Sequence, residues 1–296
     1  MSSEILSELS TISQIILECC REISNHVRNS QSDVIGQKTG DSNTSCDDVK
    51  KLDLISNQIF KDRLSCCPLI KGIASEEEEN VIWYDNKGCY LCVFDPLDGS
   101  QNIDINLPIG SIFGIFRIDD TNGEIPNGRS LIMSGYSLYC GATLLVMGDT
   151  ISRSLSGHRL VDNQWVDYPI KVFQEPHKYY SINECNFHHW NPEVRTLVND
   201  SKKSRRTQRW IGSLVGDGHR TLLKGGFFSY PVDSRNTSGK LRLFYEAYPF
   251  ALIFELAGGI ARNDLGAEGK NILDIPIPWE NVHQKTGLFL MDKEIV

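Results

Sequence analysis

The sequence predicts a two-unit layered α/β protein. Its 296 residues are about twice the roughly 150 residues of a single domain. Two amphipathic helical stretches are followed by a close series of short apolar runs. Past residue 170 strand-like and helix-like segments alternate, the pattern of a second layered unit. The boundary is set at 171/172, giving an N-terminal unit of residues 1–171 and a C-terminal unit of residues 172–296.

The elements follow in chain order. Ile5, Leu9, Ile12, Ile16, Cys19, Cys20, Ile23 and Val27 recur at steps of three and four with Ser, Glu and Arg between, predicting one long helix. From Asn29 to Cys46 the chain dissolves into Ser, Gln, Asn, Asp and Gly, a loop. DDVKKLDLISNQIFKDRL is a second amphipathic helix, with Asp47 or Asp48 placed to cap it. LIKGIA, VIWY, YLCVF, GSIFGIF, LIMSGY and TLLVM, bounded by Gly, Asn and Asp, are strands. KYYSI is strand-like and PEVRTLV helix-like. After GSLVGDGHRTLL and strand-like GGFFSYP comes a long helical stretch through LRLFYEAYPFALIFELAG.

Composition excludes several functions. With 38 acids against 30 bases, a net charge of -8, the chain lacks the basic face a duplex-binding protein needs. The basic run Lys202, Lys203, Arg205, Arg206 and Arg209 is not enough to reverse that. No apolar run approaches the ~20 residues of a bilayer span, so neither nucleic acid nor membrane is expected as a partner. The nine cysteines form no paired C-x-x-C elements, which disfavours a zinc cage and suits buried thiols in a reducing compartment. The N-terminus lacks the plan of a secretory signal or a transit peptide, which points to the cytoplasm; a plastid protein relieved of its transit peptide reads the same way.

The acids concentrate at three stations. Ser75-Glu76-Glu77-Glu78-Glu79 follows the LIKGIA strand, and by itself reads equally as a solvated acidic turn. Asp95-Pro96-Leu97-Asp98-Gly99-Ser100 follows YLCVF; a turn there aims both carboxylates at one point, with the Leu97 carbonyl between and the Gly99 and Ser100 N–H groups facing the same pocket. An ordinary acidic β-turn uses the same residue types. Glu246 lies in an otherwise apolar stretch, costly to bury without a partner, with Lys240 and Arg242 on one face beside it. Oxygen ligands without paired His or clustered Cys select a hard cation, Mg²⁺ or Mn²⁺. Converging carboxylates beside Lys and Arg suit metal-assisted phosphoryl hydrolysis.

The strings FDPLDGSQNID, GSIFGIF, RWIGSLVGDGHRTLLKGG and SGKLRLFYEAYP, with ILD and VHQK downstream, resemble the class I fructose-1,6-bisphosphatases, members of the lithium-sensitive, Mg²⁺-dependent sugar phosphatases. The likeness runs from about Asp47 to about Leu290 and is greatest to plant-type members without their redox insertion. It implies a layered αβαβα sandwich and a homotetramer. It implies two to three Mg²⁺, replaceable by Mn²⁺, on Glu76, Asp95, Asp98, Glu246 and the Leu97 carbonyl. It implies catalytic roles for Asp53 and Glu77, which take the water's proton, and for Asp47 in a mobile loop. Gly99, Ser100 and Arg242 would hold the reacting phosphate. Asn183, Tyr230, Lys240 and Trp210 would grip the other one, with Arg209 of a neighbouring subunit.

The implied reaction is hydrolysis of the 1-phosphate of fructose 1,6-bisphosphate to fructose 6-phosphate, in gluconeogenesis or a Calvin-type cycle. The alternatives are a sedoheptulose-1,7-bisphosphatase and a non-catalytic sugar-phosphate-binding regulator. The chain departs from the family at Trp210 and Asn186, where Tyr is usual in many members. Cys89-Tyr90 stands for the Lys-Tyr pair of AMP-sensitive members, and RIDDTNGEIPNGRS lacks the plastid regulatory cysteines. Weak AMP inhibition and no redox switch follow.

Overall fold

Helix α1 (Ser2–Asn29) forms on the apolar stripe read from the sequence: Ile12, Ile16, Cys19, Cys20 and Ile23 are fully buried. Each isoleucine so buried contributes about 1.5–3 kcal/mol, enough to fix which face of the helix turns inward. Helix α2 (Lys51–Ser65) packs beside it through Leu52, Phe60 and Leu64. The computed structural model describes residues 2–29, 38–42, 48–118, 125–277 and 279–295.

The region before α2 differs from the sequence reading. Strand β1 (Lys38–Ser42) lies inside the expected loop and pairs antiparallel with β2 (Asp48–Lys50), where a helix start was expected. Asp48 is therefore not a helix cap, because its backbone is paired across to Ser42. A polar two-stranded ribbon is held by backbone bonds and leaves no hydrophobic alternation to read. Asp47, expected in the catalytic loop, lies outside the described residues.

The strand-like runs all appear: β3 (Ile70–Ser75), β4 (Ile82–Trp83), β5 (Tyr90–Asp98), β6 (Ile109–Arg117), β7 (Leu131–Tyr139) and β8 (Thr143–Asp149). With β9 (Ser154–Val161) and β10 (Gln164–Asp167) they form an eight-stranded sheet in the order β10-β9-β8-β7-β6-β5-β3-β4. Only β3 and β5 are parallel; the other neighbours are antiparallel. The C-terminal sheet has five strands, β11 (Tyr179–Ser181), β12 (Thr207–Gln208), β13 (Phe227–Tyr230), β15 (Ile260–Arg262) and β17 (Leu288–Met291), ordered β12-β11-β13-β17-β15. A small ribbon pairs β14 (Leu241–Arg242) with β16 (Lys285–Thr286).

Strand alternation sorts the core into layers. On β5, Tyr90, Cys92 and Phe94 face α1 and α2, while Leu91 and Val93 face the opposite cluster. That second cluster holds α4 (Leu214–Lys224), α5 (Tyr248–Leu256) and one face of the smaller sheet, through Phe228, Leu288 and Leu290. The other face of the smaller sheet, Phe227, Phe289 and Met291, packs on α3 (Pro192–Lys203) through Val194 and Val198. The order is helices, sheet, helices, sheet, helix: the αβαβα sandwich. The long C-terminal helix expected from LRLFYEAYPFALIFELAG is shorter. It begins as β14, passes through one π-helical turn (Leu243–Ala247), and only then becomes α5.

Candidate active site

Asp95 and Asp98 both belong to β5, which runs on through the expected turn. Residues three apart on a regular strand point to opposite faces. Here Asp95 pairs with Ile112 and Asp98 with Gly110, so three steps on β5 match two on β6. That bulge turns both carboxylates to one side. Phe60 of α2 stacks on Phe94 at 4.7 Å and anchors the strand just before Asp95. Gly99 follows with φ +76°, a conformation that strains a side-chain-bearing residue.

Each acid is held separately. Asp95 Oδ1 accepts the Leu97 N–H at 2.9 Å. Asp98 Oδ2 accepts the Ser213 hydroxyl at 2.8 Å and the Val215 N–H at 2.9 Å. Ser213 caps α4, so Asp98 rests at the positive end of that helix. Glu246 sits in the π-helical turn and accepts the Arg242 N–H. Oxygen atoms of Asp95, Asp98 and Glu246 lie within 4.8 Å of one another, and all three residues are buried. Glu76, at the exit of β3, stands beside them with Arg242 Nη2 3.5 Å from its carboxylate.

Of the four consecutive glutamates, Glu76 and Glu77 border the cavity. Glu78 is drawn away by Asn57 and Lys61 of α2, at 2.7 and 2.6 Å, and Glu79 is exposed. Asp53, buried on α2, reaches the same cavity.

Crowding shows in the protonation equilibria. Burial, then the charge of Glu76, pushes Glu246 up to about 8. Burial raises Glu76 to about 7 although Arg242 pulls the other way. Burial raises Asp98 to about 6 against its bonds from Val215 and Ser213, and Asp95 rises well above the usual carboxylate range through burial and Glu76. Adjacent buried carboxylates with one guanidinium among them fit a divalent cation, whose charge removes the repulsion.

The cavity has a volume of about 390 Å³, and Leu97, Gly99, Ser100 and Arg242 border it as the sequence suggested. Gly212, Tyr230 and Lys240 border both this cavity and a second one of about 190 Å³, so the two are contiguous. Asn183, Trp210, Asn186 and Trp190 line the second. Lys240 Nζ lies 5.0 Å from the centre of the Tyr230 ring, and Trp210 meets the same ring edge-on at 5.0 Å. Arg209 is exposed and is not part of this chain's own lining. Sequence reasoning missed Asp104, which borders the first cavity, and Ser213, which positions Asp98. A serine opening a helical segment was the available signal for Ser213.

The N-terminal domain profile of fructose-1,6-bisphosphatase matches residues 2–158, and the C-terminal domain profile matches residues 173–296. The chain belongs to the fructose-1,6-bisphosphatase family. It is 37% identical over 297 residues to the class 1 fructose-1,6-bisphosphatase of Neisseria meningitidis, covering 95% of this chain and 89% of that protein. It is 38% identical over 293 residues to that of Persephonella marina, covering 95% and 88%. The holo structure of Leishmania major fructose-1,6-bisphosphatase superposes with a TM-score of 0.87 at 32% identity, covering 100% and 96%.

As a family member the chain is a phosphoric monoester hydrolase of carbohydrate metabolism, and the family depends on a divalent metal and acts on a sugar bisphosphate. No helix among the described residues is long and apolar enough to cross a membrane. Trp210 is stacked on Phe228 at 6.2 Å, and Asn186 accepts a hydrogen bond from Arg235.

Proposed function

We propose that this chain hydrolyses the 1-phosphate of fructose 1,6-bisphosphate, releasing fructose 6-phosphate and phosphate. The observation that carries the reading is the contiguity of the buried carboxylate group with a second cavity that one lysine and two tryptophans line. One end suits a metal-held phosphoryl group and the other a second phosphate on the same sugar.

Asp95, Asp98, Glu246, Glu76 and the Leu97 carbonyl would hold two to three Mg²⁺, or Mn²⁺ in their place. Bound there, the cations supply Lewis-acid polarisation and neutralise the charge of the phosphoryl oxygens. Gly99 and Ser100 offer backbone N–H groups to the reacting phosphate, and Arg242 orients it while pairing with Glu76. Glu77 and Asp53 accept the proton of the attacking water, with Asp47 assisting. In-line displacement then breaks the bond between phosphorus and the sugar oxygen.

Asn183, Tyr230, Lys240 and Trp210 hold the second phosphate. Its remaining positive charge comes from Arg209 of a neighbouring subunit, supported by the exposure of Arg209 on its own chain; that requires an oligomer, a homotetramer by the family resemblance. The N-terminal unit, 1–171, supplies most of the acids and the C-terminal unit, 172–296, most of the grip. Cysteines buried among apolar side chains, such as Cys19, Cys20 and Cys92, favour the reducing cytoplasm. AMP inhibition is weak, since Cys89 replaces a lysine and the Tyr90 hydroxyl is already bonded to Glu8.

Phosphate release with Mg²⁺ from fructose 1,6- and sedoheptulose 1,7-bisphosphate tests the assignment. A higher kcat/KM for the fructose ester is expected. Preference for the longer sugar would transfer the assignment to the other bisphosphatase, and no turnover of either would overturn it.

A further inference from the structure

One side chain joins the two segments that carry Glu76 and Glu246. His283 is half-buried in the loop before β16. Its Nε2 lies 3.0 Å from the carbonyl oxygen of Glu78, and its Nδ1 lies 2.7 Å from the Tyr245 hydroxyl. A carbonyl oxygen can only accept, so Nε2 carries the hydrogen. In the neutral ring Nδ1 is then the acceptor, and Tyr245 donates to it. The bonds run in one direction, from Tyr245 through the imidazole to the backbone of Glu78.

Both ends of this link adjoin metal-site acids. Glu78 follows Glu76 and Glu77 in the turn after β3, and Tyr245 immediately precedes Glu246 in the π-helical turn. The Glu78 carboxylate is tied to α2 from the other side, so the turn is held at both its side chain and its backbone. Tyr245 is fully buried and meets the His283 ring edge-on at 5.8 Å, which leaves the link little freedom. Without it, the turn and the helical segment would have to find their separation as the cation binds, a cost in affinity rather than in chemistry.

We propose that His283 is a positioning residue for metal capture, holding the Glu76–Glu77 turn at a fixed distance from the Glu246 segment. The proposal rests on the reading of those acids as metal ligands. Its test is Mn²⁺ binding to the metal-free protein, followed by electron paramagnetic resonance without substrate, together with the Mg²⁺ dependence of turnover.

His283→Ala is expected to bind Mn²⁺ about tenfold more weakly. Tyr245→Phe, which removes one hydroxyl from a ring of the same shape, is expected to lose about threefold. His283→Gln keeps a donor for the Glu78 carbonyl and should recover part of the affinity. The Mg²⁺ concentration at half-maximal rate should shift by the same factors. kcat at saturating Mg²⁺ should stay within about twofold, with KM for the bisphosphate unchanged. The double variant should be no weaker than His283→Ala, since both substitutions cut one chain of bonds.

Mn²⁺ affinity of wild-type strength in His283→Ala, or in Tyr245→Phe should the alanine variant not fold, overturns the proposal. An Asp98→Asn control keeps the two readings apart. If it abolishes Mn²⁺ binding while the His283 variants bind normally, only the positioning role fails. If the wild-type chain binds no Mn²⁺, the metal reading falls and takes the proposal with it.

Discussion

The two ends of the substrate cavity are built on different principles. At the carboxylate end Asp95, Asp98 and Glu246 are 2%, 8% and 4% exposed, and each is fixed by its own N–H or hydroxyl donors. At the distal end the walls mix aromatic rings (Trp190, Trp210, Tyr230) with side-chain amides (Asn183, Asn186, Asn236). Lys240 and Arg209 are exposed, and among the described residues Lys240 is the one cation lining that cavity. On the proposed reading the metal-holding acids thus come from one chain and are held rigidly, because ligand separations tolerate little error. The second cavity has Lys240 as its cation, and on the proposed reading the remaining charge for a second phosphate would come from Arg209 of a neighbouring subunit.

The largest effect that could break this contrast is expected at the carboxylate end. Asp98→Asn keeps the bonds from Ser213 and Val215 within reach of an oxygen but removes a charge, and kcat at saturating Mg²⁺ should fall about 10³-fold in a phosphate-release assay. A loss below tenfold would mean that the buried acids are not the reacting end.

A smaller and different effect is expected from Lys240→Met. One charge-assisted bond to a phosphate is worth about 1.5–3 kcal/mol, so KM for the bisphosphate should rise about 10- to 100-fold. Steady-state kinetics should show kcat reduced much less. Equal losses in both parameters would place Lys240 at the reacting phosphate and dissolve the distinction between the ends.

The smallest effect sharpens the comparison through stability. Glu246, Glu76 and Asp98 have folded-state values raised by burial above those of the unfolded chain. Between about pH 4.5 and pH 8 the folded state therefore binds more protons than the unfolded state, and stability falls as pH rises. The melting temperature of the metal-free protein should drop by about 5 °C across that window. Saturating Mg²⁺ should flatten the slope by supplying the missing counter-charge. A metal-free protein that gains stability from pH 5 to pH 8 would contradict the crowding of these acids.

Much of this site was legible in the chain. YLCVF running into Asp-Pro-Leu-Asp-Gly marks an apolar strand delivering two acids to one place, and the stripe from Ile5 to Val27 marks the helix that covers its back. The polar β1–β2 ribbon was not legible, nor was the bulge between Asp95 and Asp98. Both are matters of backbone pairing with a partner strand rather than of residue type. Ser213 capping α4 while also holding Asp98 joins residues 115 positions apart, a juxtaposition no local pattern encodes.

By itself the sequence determined the strands β3 to β8, the helical stripes, the acids and the family to which they belong. Periodicity and residue chemistry act over a few neighbouring positions, and those are written directly in the chain. Only the tertiary structure decided that a bulge turns Asp95 and Asp98 to one side, and that Asn57 and Lys61 draw Glu78 away from the Glu76–Glu77 end of the acidic run. Those outcomes depend on sheet register and on the packing of five layers, where each side chain's surroundings are supplied by segments far along the chain.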